Sequence, residues 1–228
     1  MNGSLSHNEK YLENFLPGCE TLNFDKTFFC GLAVPFPYLF QFSNRMKDSK
    51  INLGVQDVSS ESVDGPHTGD ISISMLKEFD CSFSIIAHSE RREKYKESNI
   101  CILNKAKTLL TNNFIPIICI GESAKSREDG NTEKIIKSQL RLFIEGLDKN
   151  ELSNCVFAYE PLWAIGSGNS ANPSEIETIV ELIRHECSRE LEPQSYTKII
   201  YGGSVDSVIA KKLFDQTSID GALVGGAS

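Results

Sequence analysis

The sequence has little of several features that would place it in a specialised class. Acidic residues outnumber basic ones, 31 against 23, the formal net charge is −8, and Lys and Arg form no dense run that could follow a phosphate backbone. No apolar stretch approaches the ~20 residues of a membrane-spanning helix, and the first residues lack the basic and apolar regions of a signal peptide. The sequence therefore argues against nucleic-acid-binding and membrane-spanning roles, and it predicts a cytosolic protein.

Two motifs, the Cys-x-x-Cys pair and the glycine-rich motif of dinucleotide-binding folds, are also missing. The seven cysteines form an odd set without a Cys-x-x-Cys pair, and most lie in apolar runs such as the one around Cys119. We therefore predict buried thiols in a reducing compartment. No Gly-x-Gly-x-x-Gly follows the first predicted strand, which removes the main support for a dinucleotide-binding fold.

Short apolar runs rich in β-branched and aromatic residues recur along the whole chain and predict seven strands. Continuous rather than alternating apolar runs are typical of strands that are covered on both faces, as in a parallel sheet. The predicted strands are 27–33, 51–55, 83–88, 115–120, 156–160, 198–201 and 222–224.

Segments with helical periodicity lie between the strands. The clearest is 172–191, where Pro173 occupies the first turn and apolar residues recur at three- and four-residue steps. The other predicted helices are 4–15, 38–46, 71–79, 98–111, 131–147 and 205–214. Since no Pro/Gly/Ser-rich linker interrupts the alternation, we predict one domain over residues 1–228.

Repeated βα units build two kinds of fold, and the positions of the polar residues indicate which of the two is present. These are an open doubly wound sheet and an eight-stranded barrel. Informative polar and glycine residues follow many different strands, which suits a barrel whose site is assembled from several βα loops. The sequence therefore predicts an α/β protein with a (β/α)8 barrel.

Two polar side chains stand at the ends of predicted buried strands. His88 ends the third strand and is followed by a dense polar group, and Glu160 ends the fifth. A lone histidine after an apolar run is more often structural, but this one lies where barrel enzymes place catalytic groups. A carboxylate at the end of an apolar strand is costly unless it is paired or acts as a base. Both residues are candidates for catalysis.

The loop after Glu160 combines a stiff start with flexible glycines. Pro161 restricts the chain where it leaves the strand, and Gly166 and Gly168 supply conformational freedom at the far end. The pattern favours a lid, and a structural loop around a buried tryptophan is the alternative.

Two glycine-rich turns, 201–205 and 223–228, directly follow the last two predicted strands. Glycine lets backbone N–H groups approach an anion closely, and loops at this place in a barrel are the usual phosphate site. The pair of turns therefore predicts a site for a phosphate group.

These segments resemble the triosephosphate isomerase family over nearly the whole chain. The matching strings are AHSERR, CIGE, AYEPLWAIGSG, YGGSV and DGALVGGAS, which begin at residues 87, 119, 158, 201 and 220. The resemblance implies a TIM barrel and the interconversion of dihydroxyacetone phosphate and glyceraldehyde 3-phosphate in glycolysis and gluconeogenesis. It also implies that the reaction uses neither a cofactor nor a metal.

The resemblance assigns roles to individual residues. Glu160 would be the base that removes the proton next to the carbonyl, and His88 the neutral electrophile that polarises the carbonyl oxygen. Backbone donors would hold the substrate phosphate at Gly166, Ser204, Gly225 and Gly226.

Three further residues match supporting positions of the family. Glu90 and Cys119 fit places near the active site, and their alternatives are a partner for a nearby arginine and core packing, respectively. The segment 64–70 resembles the loop through which the family dimerises, with Thr68 reaching the partner's active site. The resemblance therefore implies a homodimer.

Two family segments do not occur in the 228 residues. The family opens with a strand carrying Asn-x-Lys directly before Met-Asn-Gly, and it continues after Gly-Gly-Ala-Ser into a last helix. We therefore expect an incomplete barrel and low activity for the chain as written. An inactive or fragmentary homologue with only a weak phosphate site is the alternative hypothesis. A different isomerase or aldolase on this fold would need another base or a Schiff-base lysine, and no such lysine lies in a buried run.

Overall fold

Strands and helices alternate along the chain, as the apolar pattern predicts. The computed structural model describes residues 3–21, 28–164, 171–192 and 195–226. The seven strands within these ranges are β1 (Gly31–Val34), β2 (Asn52–Val55), β3 (Cys81–Ile86), β4 (Ile115–Ile120), β5 (Val156–Tyr159), β6 (Lys198–Tyr201) and β7 (Gly221–Ala222).

Ten α-helices accompany the strands in the described residues. They are α1 (Leu5–Glu20), α2 (Leu39–Met46), α3 (Ile73–Lys77), α4 (Ser89–Lys94), α5 (Asn99–Thr111), α6 (Ala124–Glu128), α7 (Thr132–Gly146), α8 (Lys149–Ser153), α9 (Pro173–Ser188) and α10 (Ser207–Gln216). Two 3-10 helices, Phe36–Tyr38 and Leu162–Ala164, complete the set. None of the described helices is long and apolar enough to cross a membrane.

The chain divides into two compact units. The first comprises residues 1–85 and 108–115, and the second comprises residues 86–107 and 116–228. The single domain predicted from the sequence stays a prediction.

In the first unit, β1, β2 and β3 pair in parallel and in sequence order. The ring of Phe83 lies over two glycines of neighbouring strands, since a Cβ atom would stand 2.6 Å from the ring at Gly31 and 2.5 Å from it at Gly54. The glycines thus leave room for the aromatic side chain that fills this part of the core.

In the second unit, β4 to β7 pair in parallel and in sequence order. Tyr159 is in register with Tyr201, and Tyr201 is in register with Ala222, so the carboxyl ends of β5, β6 and β7 lie at one level. The edge-to-face contact of Phe143 with Phe157, at 5.9 Å between ring centroids, packs α7 against β5. Residues that follow these strands are therefore placed at one edge of the sheet.

The long periodic segments are predicted well, and several short ones are not. β4 and β6 have the predicted bounds, and α9 begins at Pro173 after Asn172, whose side chain caps the helix. The helices α4, α6 and α8 are missed because five or six residues carry no apolar period. Helix α1 continues to Glu20, beyond the predicted end at residue 15.

Candidate active site

Glu160 lies where β5 ends, and its carboxylate is enclosed by protein. The backbone N–H of Glu160 donates to the carbonyl of Ile120 at 2.7 Å, which continues the β4–β5 pairing by one residue. Its side chain is only 2% exposed, and Oε2 has no hydrogen-bond partner among the described residues. A buried carboxylate oxygen without a hydrogen-bond partner destabilises the folded state, and such groups are typical of catalytic sites.

His88 faces this carboxylate from the start of α4. Its Nε2 lies 3.4 Å from Glu160 Oε1, and its Nδ1 accepts a hydrogen bond from the backbone N–H of Glu90 at 3.3 Å. Because Nδ1 accepts, the proton of a neutral imidazole stands on Nε2. The site therefore presents an N–H donor and a carboxylate to the same space.

Local backbone geometry directs His88 toward this space. Ala87 has a φ of 61°, which is in the left-handed region and ends β3 before the predicted bound at residue 88. The carbonyl of Ala87 accepts from Arg92 Nε at 3.0 Å. A non-glycine residue in this region stores strain, and such strain is concentrated at functional sites.

The surroundings of Glu160 shift its acidity upward. Burial raises the pKa of Glu160, and this is the largest effect, while the electrostatic interaction with His88 and hydrogen bonding from the Cys119 thiol and the Ser89 N–H oppose it. Burial also raises the pKa of Cys119 well above its usual value, so that the thiol stays protonated. Cys119 is buried at the end of β4 and contributes a neutral donor to the carboxylate.

Two glycines allow the backbone to pass close to Glu160. A Cβ atom on Gly121 would lie 1.8 Å from the carbonyl oxygen of Glu160, and one on Gly202 would lie 2.8 Å from Glu160 Cγ. Gly121 is also fixed from its other side, because its N–H and carbonyl both bond the side-chain amide of Gln139, at 2.8 and 2.9 Å. Neither glycine can carry a side chain without moving the catalytic candidate.

A second buried carboxylate, Glu122, holds the segment that follows Glu160. Its Oε1 accepts from Trp163 Nε1 at 3.0 Å and from the Tyr159 hydroxyl at 3.3 Å, and its backbone carbonyl accepts from the Leu162 N–H at 3.1 Å. Burial raises the pKa of Glu122, and the hydrogen bond from Trp163 is the largest of the effects that lower it. The alternative of a structural role for Trp163 is thus supported in part, since its indole N–H is anchored here.

The predicted phosphate-binding residues lie after β6 and β7. The hydroxyl and the N–H of Ser204 both donate to the carbonyl of Ala164, at 2.5 and 3.2 Å. Gly225 and Gly226 are exposed, and a Cβ atom on either would contact nothing within 4 Å. Gly166 lies outside the described residues, as do residues 165–168 of the predicted lid 161–168.

Glu90 and Thr68 both carry exposed side chains. Glu90 supports His88 through its backbone N–H, and its carboxylate charge acts to raise the pKa of Glu160. Thr68 lies in the first unit, in an exposed loop that Asp64 braces by accepting from the hydroxyls of Ser72 and Ser74, each at 2.7 Å. The hydroxyl hydrogen bonds lower the pKa of Asp64.

Sequence reasoning missed several groups around the site. Gly121, Gly202 and Arg92 stand in strings that match the family, but the sequence assigns none of them the task of making room for Glu160 or holding Ala87, because that task depends on which backbone or side chain lies beside them. The buried ion pair between Lys105 and Glu97 is another example, since neither residue stands in a recognisable motif. A lysine that is only 4% exposed on a helix can be found only from the fold.

Comparison with known proteins agrees with this geometry. The family model "Triosephosphate isomerase" matches residues 1–228. A triosephosphate isomerase of Cupriavidus taiwanensis is 37% identical over 229 residues, covering 100% of this chain and 91% of the relative. That of Mycoplasma capricolum is 39% identical over 229 residues, with the same coverage. That of Dictyoglomus turgidum is 42% identical over 199 residues, covering 86% of this chain and 80% of the relative.

A match over the whole chain, together with a carboxylate and an imidazole at the ends of parallel strands, places the protein among the isomerases built on a (β/α)8 barrel. The chain belongs to the triosephosphate isomerase family. The predicted fold class and the predicted isomerase function on triose phosphates are thereby confirmed. The comparisons give no support to the alternative of an inactive homologue.

Proposed function

We propose that Glu160 and His88 move the proton between adjacent carbons of the triose phosphate. The observation that supports this most strongly is the 3.4 Å approach of His88 Nε2 to Glu160 Oε1, with Nδ1 already used as an acceptor. A base and an electrophilic N–H that point into one space are what proton abstraction beside a carbonyl requires.

The chemistry needs proton transfers at carbon and at oxygen. The Glu160 carboxylate removes a proton from the carbon next to the carbonyl, and the electron pair forms an enediolate whose oxygen is stabilised by the His88 Nε2–H. Glu160 then returns the proton to the neighbouring carbon. Because burial raises the pKa of Glu160, its conjugate base is stronger than an exposed glutamate, which suits this step. The hydroxyl proton passes from the oxygen on the first carbon to the oxygen on the second, and His88 Nε2 gives one proton and takes up the other in this exchange.

We propose the turns after β6 and β7 as the phosphate site, with Ser204, Gly225, Gly226 and, by resemblance, Gly166. Ser204 and Gly225 each follow a strand-end residue by three positions, and these two residues, Tyr201 and Ala222, are in register, so both turns leave the same edge of the sheet. Phosphate binding by Ser204 requires its N–H and hydroxyl to leave the carbonyl of Ala164. Glu90 and Cys119 act on the reacting groups indirectly, through His88 Nδ1 and the Glu160 carboxylate.

Deuterium transfer tests the catalytic pair. In D2O, the chain should convert dihydroxyacetone phosphate to glyceraldehyde 3-phosphate that carries deuterium at C2, because a proton held on the Glu160 carboxyl group exchanges with solvent. We expect His88→Gln to lower the rate by about 10²–10³-fold, since one preorganised donor to the oxyanion is lost. The measurement is proton NMR of the product together with a coupled dehydrogenase assay.

A matched control uses another histidine. His185→Gln changes a residue of the last turn of α9 and should leave the rate within twofold. Isomerisation without any deuterium in the product, or a His88→Gln variant as fast as the control, would contradict the proposed roles.

We propose that the exposed loop 64–70 forms a homodimer contact through Thr68. The support is the resemblance of this segment to the family's dimer loop and the bracing of its ends, where Asp70 accepts from the Ser59 hydroxyl at 2.7 Å. The cytosolic location predicted from the sequence stays a prediction.

Sedimentation velocity tests the dimer. The unaltered chain should sediment as a dimer, and Thr68→Arg should shift it toward the monomer, because a bulky charge at the contact must be desolvated. Thr178→Arg, on the exposed face of α9, is the control and should sediment as the unaltered chain does. A monomeric unaltered chain at micromolar concentration would refute the proposal.

A further inference from the structure

The indole of Trp163 is held from two directions. Its Nε1–H donates to Glu122 Oε1 at 3.0 Å, and the guanidinium of Arg127 covers one face, with Cζ at 3.7 Å from the ring centroid. This distance is short for a cation–π contact, for which separations up to about 6 Å are counted. Trp163 thus lies between a buried carboxylate at its edge and a cation on its face.

Arg127 is itself held in place by helix α9. It lies in the last turn of α6, and its NH2 group donates to Glu175 Oε1, in the first turn of α9, at 2.7 Å. The two side chains are 37% and 50% exposed, so the ion pair alone adds little stability. Its effect is to fix the plane of the guanidinium, which is the group that the indole meets.

The position of Trp163 matters because it lies between the catalytic base and the phosphate-site serine. It follows Glu160 by three residues and forms the middle of the 3-10 helix Leu162–Ala164. The Ala164 N–H donates to the Pro161 carbonyl at 2.8 Å, and the Ala164 carbonyl accepts from Ser204. A shift of the Trp163 backbone would therefore disturb both the chain that leaves β5 at Glu160 and the carbonyl partner of Ser204.

We propose that Arg127, oriented by Glu175, is a positioning residue that clamps the Trp163 indole and so sets the 3-10 helix Leu162–Ala164, which joins Glu160 to the carbonyl partner of Ser204. This inference rests on the proposed function for its effect on catalysis. It adds two residues outside the predicted site, and it assigns Arg127 a task that only a planar cation performs fully.

The electrostatics of the cluster act in the same direction as the packing. Burial is the largest influence on Glu122 and raises its pKa, whereas the charge of Arg127 is among the effects that lower it. Arg127 therefore favours the ionised carboxylate, which is the stronger acceptor for the indole N–H.

Substitution of Arg127 has a direct spectroscopic readout, because Trp163 is the single tryptophan of the sequence. Arg127→Met keeps the length of the side chain but removes the charge and the plane. We expect its tryptophan emission to shift to longer wavelength, and acrylamide to quench it more strongly, because the covered face of the ring becomes accessible to water.

The kinetic expectation follows from the same loss. Arg127→Met should lower kcat/KM by about 3–30-fold, mostly through kcat, as the loss of one cation–π contact would predict. Arg127→Lys, which keeps the charge without the plane, should recover part of both the rate and the emission spectrum. Glu175→Gln keeps the stacking cation and should lower kcat/KM by less than about 3-fold.

Arg141→Met is the matched control. Arg141 is 75% exposed on α7 and pairs only with Glu145 of its own helix among the described residues, so emission and rate should stay unchanged. Thermal unfolding of each variant, with assays run well below the transition, separates positioning from loss of fold.

The outcomes separate the clamp from the proposed function. An inactive unaltered chain refutes the function and with it the catalytic effect of the clamp, while the emission of Arg127→Met still decides whether the clamp exists. An active chain whose Arg127→Met variant matches Arg141→Met in rate and emission overturns the proposal. A loss of rate with an unchanged emission spectrum also overturns it, because the effect would not pass through Trp163.

Discussion

Replacing Glu160 with glutamine is expected to lower kcat by about 10²–10⁴-fold, which is the usual contribution of a positioned general base. Glutamine has nearly the same shape, so the site keeps its packing but loses the group that accepts the proton. KM should change little, because the proposed phosphate site follows other strands. The measurement is the coupled assay with dihydroxyacetone phosphate, over a range of substrate concentrations.

The same substitution should raise thermal stability. Burial raises the pKa of Glu160, so the folded state disfavours the ionised carboxylate. A raised folded pKa means that stability is fully present below the unfolded value of about 4.3 and is lost as pH rises through the higher folded value. Glu160→Gln removes this loss, and its free energy of unfolding should depend less on pH over that interval.

Glu145→Gln is the control for both effects. Glu145 is 60% exposed in a surface pair on α7, so activity and the pH dependence of stability should match the unaltered chain. A Glu160→Gln variant that retains activity within tenfold would show that another group is the base. A variant that is less stable at neutral pH would contradict the argument from burial.

The sequence predicts the catalytic pair because both residues end continuous apolar runs. A polar residue at the end of such a run lies at the carboxyl edge of a parallel sheet. The structure brings His88 and Glu160 together at this edge. The helices that are recognised, such as α7 and α9, are long enough to show an apolar period. Periodicity therefore identifies the elements that bury a face, and strand ends identify the candidates for the chemistry.

The remaining parts of the site depend on contacts between segments far apart in sequence. Arg127 precedes Trp163 by 36 positions, and only the fold brings its guanidinium to 3.7 Å from the ring. The φ of 61° at Ala87 is also unexpected, since alanine has no preference for the left-handed region. Its value is imposed by the surroundings, among them the hydrogen bond from Arg92 to its carbonyl.

Gly121 gives the largest expected effect on folding. In Gly121→Ala the new methyl group would stand 1.8 Å from the carbonyl oxygen of Glu160 and 2.6 Å from its carbonyl carbon. Both atoms belong to the backbone, so no side-chain rotation relieves the clash. We expect the free energy of unfolding to fall by about 3 kcal/mol or more, at the upper end of overpacking effects. Urea unfolding followed by circular dichroism measures it.

Two other glycines give this prediction its contrast. Gly18→Ala places a methyl group where nothing lies within 4 Å in α1, and it should stabilise the protein by about 0.5–1 kcal/mol. Gly202→Ala meets the Glu160 side chain at Cγ, 2.8 Å away, and that contact can be relieved when the side chain turns. It should therefore reduce activity more than stability.

The order of the three variants tests how the base is held. If Gly121→Ala unfolds at the same urea concentration as Gly18→Ala, the Glu160 backbone does not pass as close to Gly121 as the structure indicates. If Gly202→Ala loses stability but keeps its rate, the Glu160 side chain does not need the space beside Gly202. In the expected pattern, Gly121 leaves room for the backbone of Glu160 and Gly202 leaves room for its side chain, because the first contact is with a carbonyl and the second with Cγ.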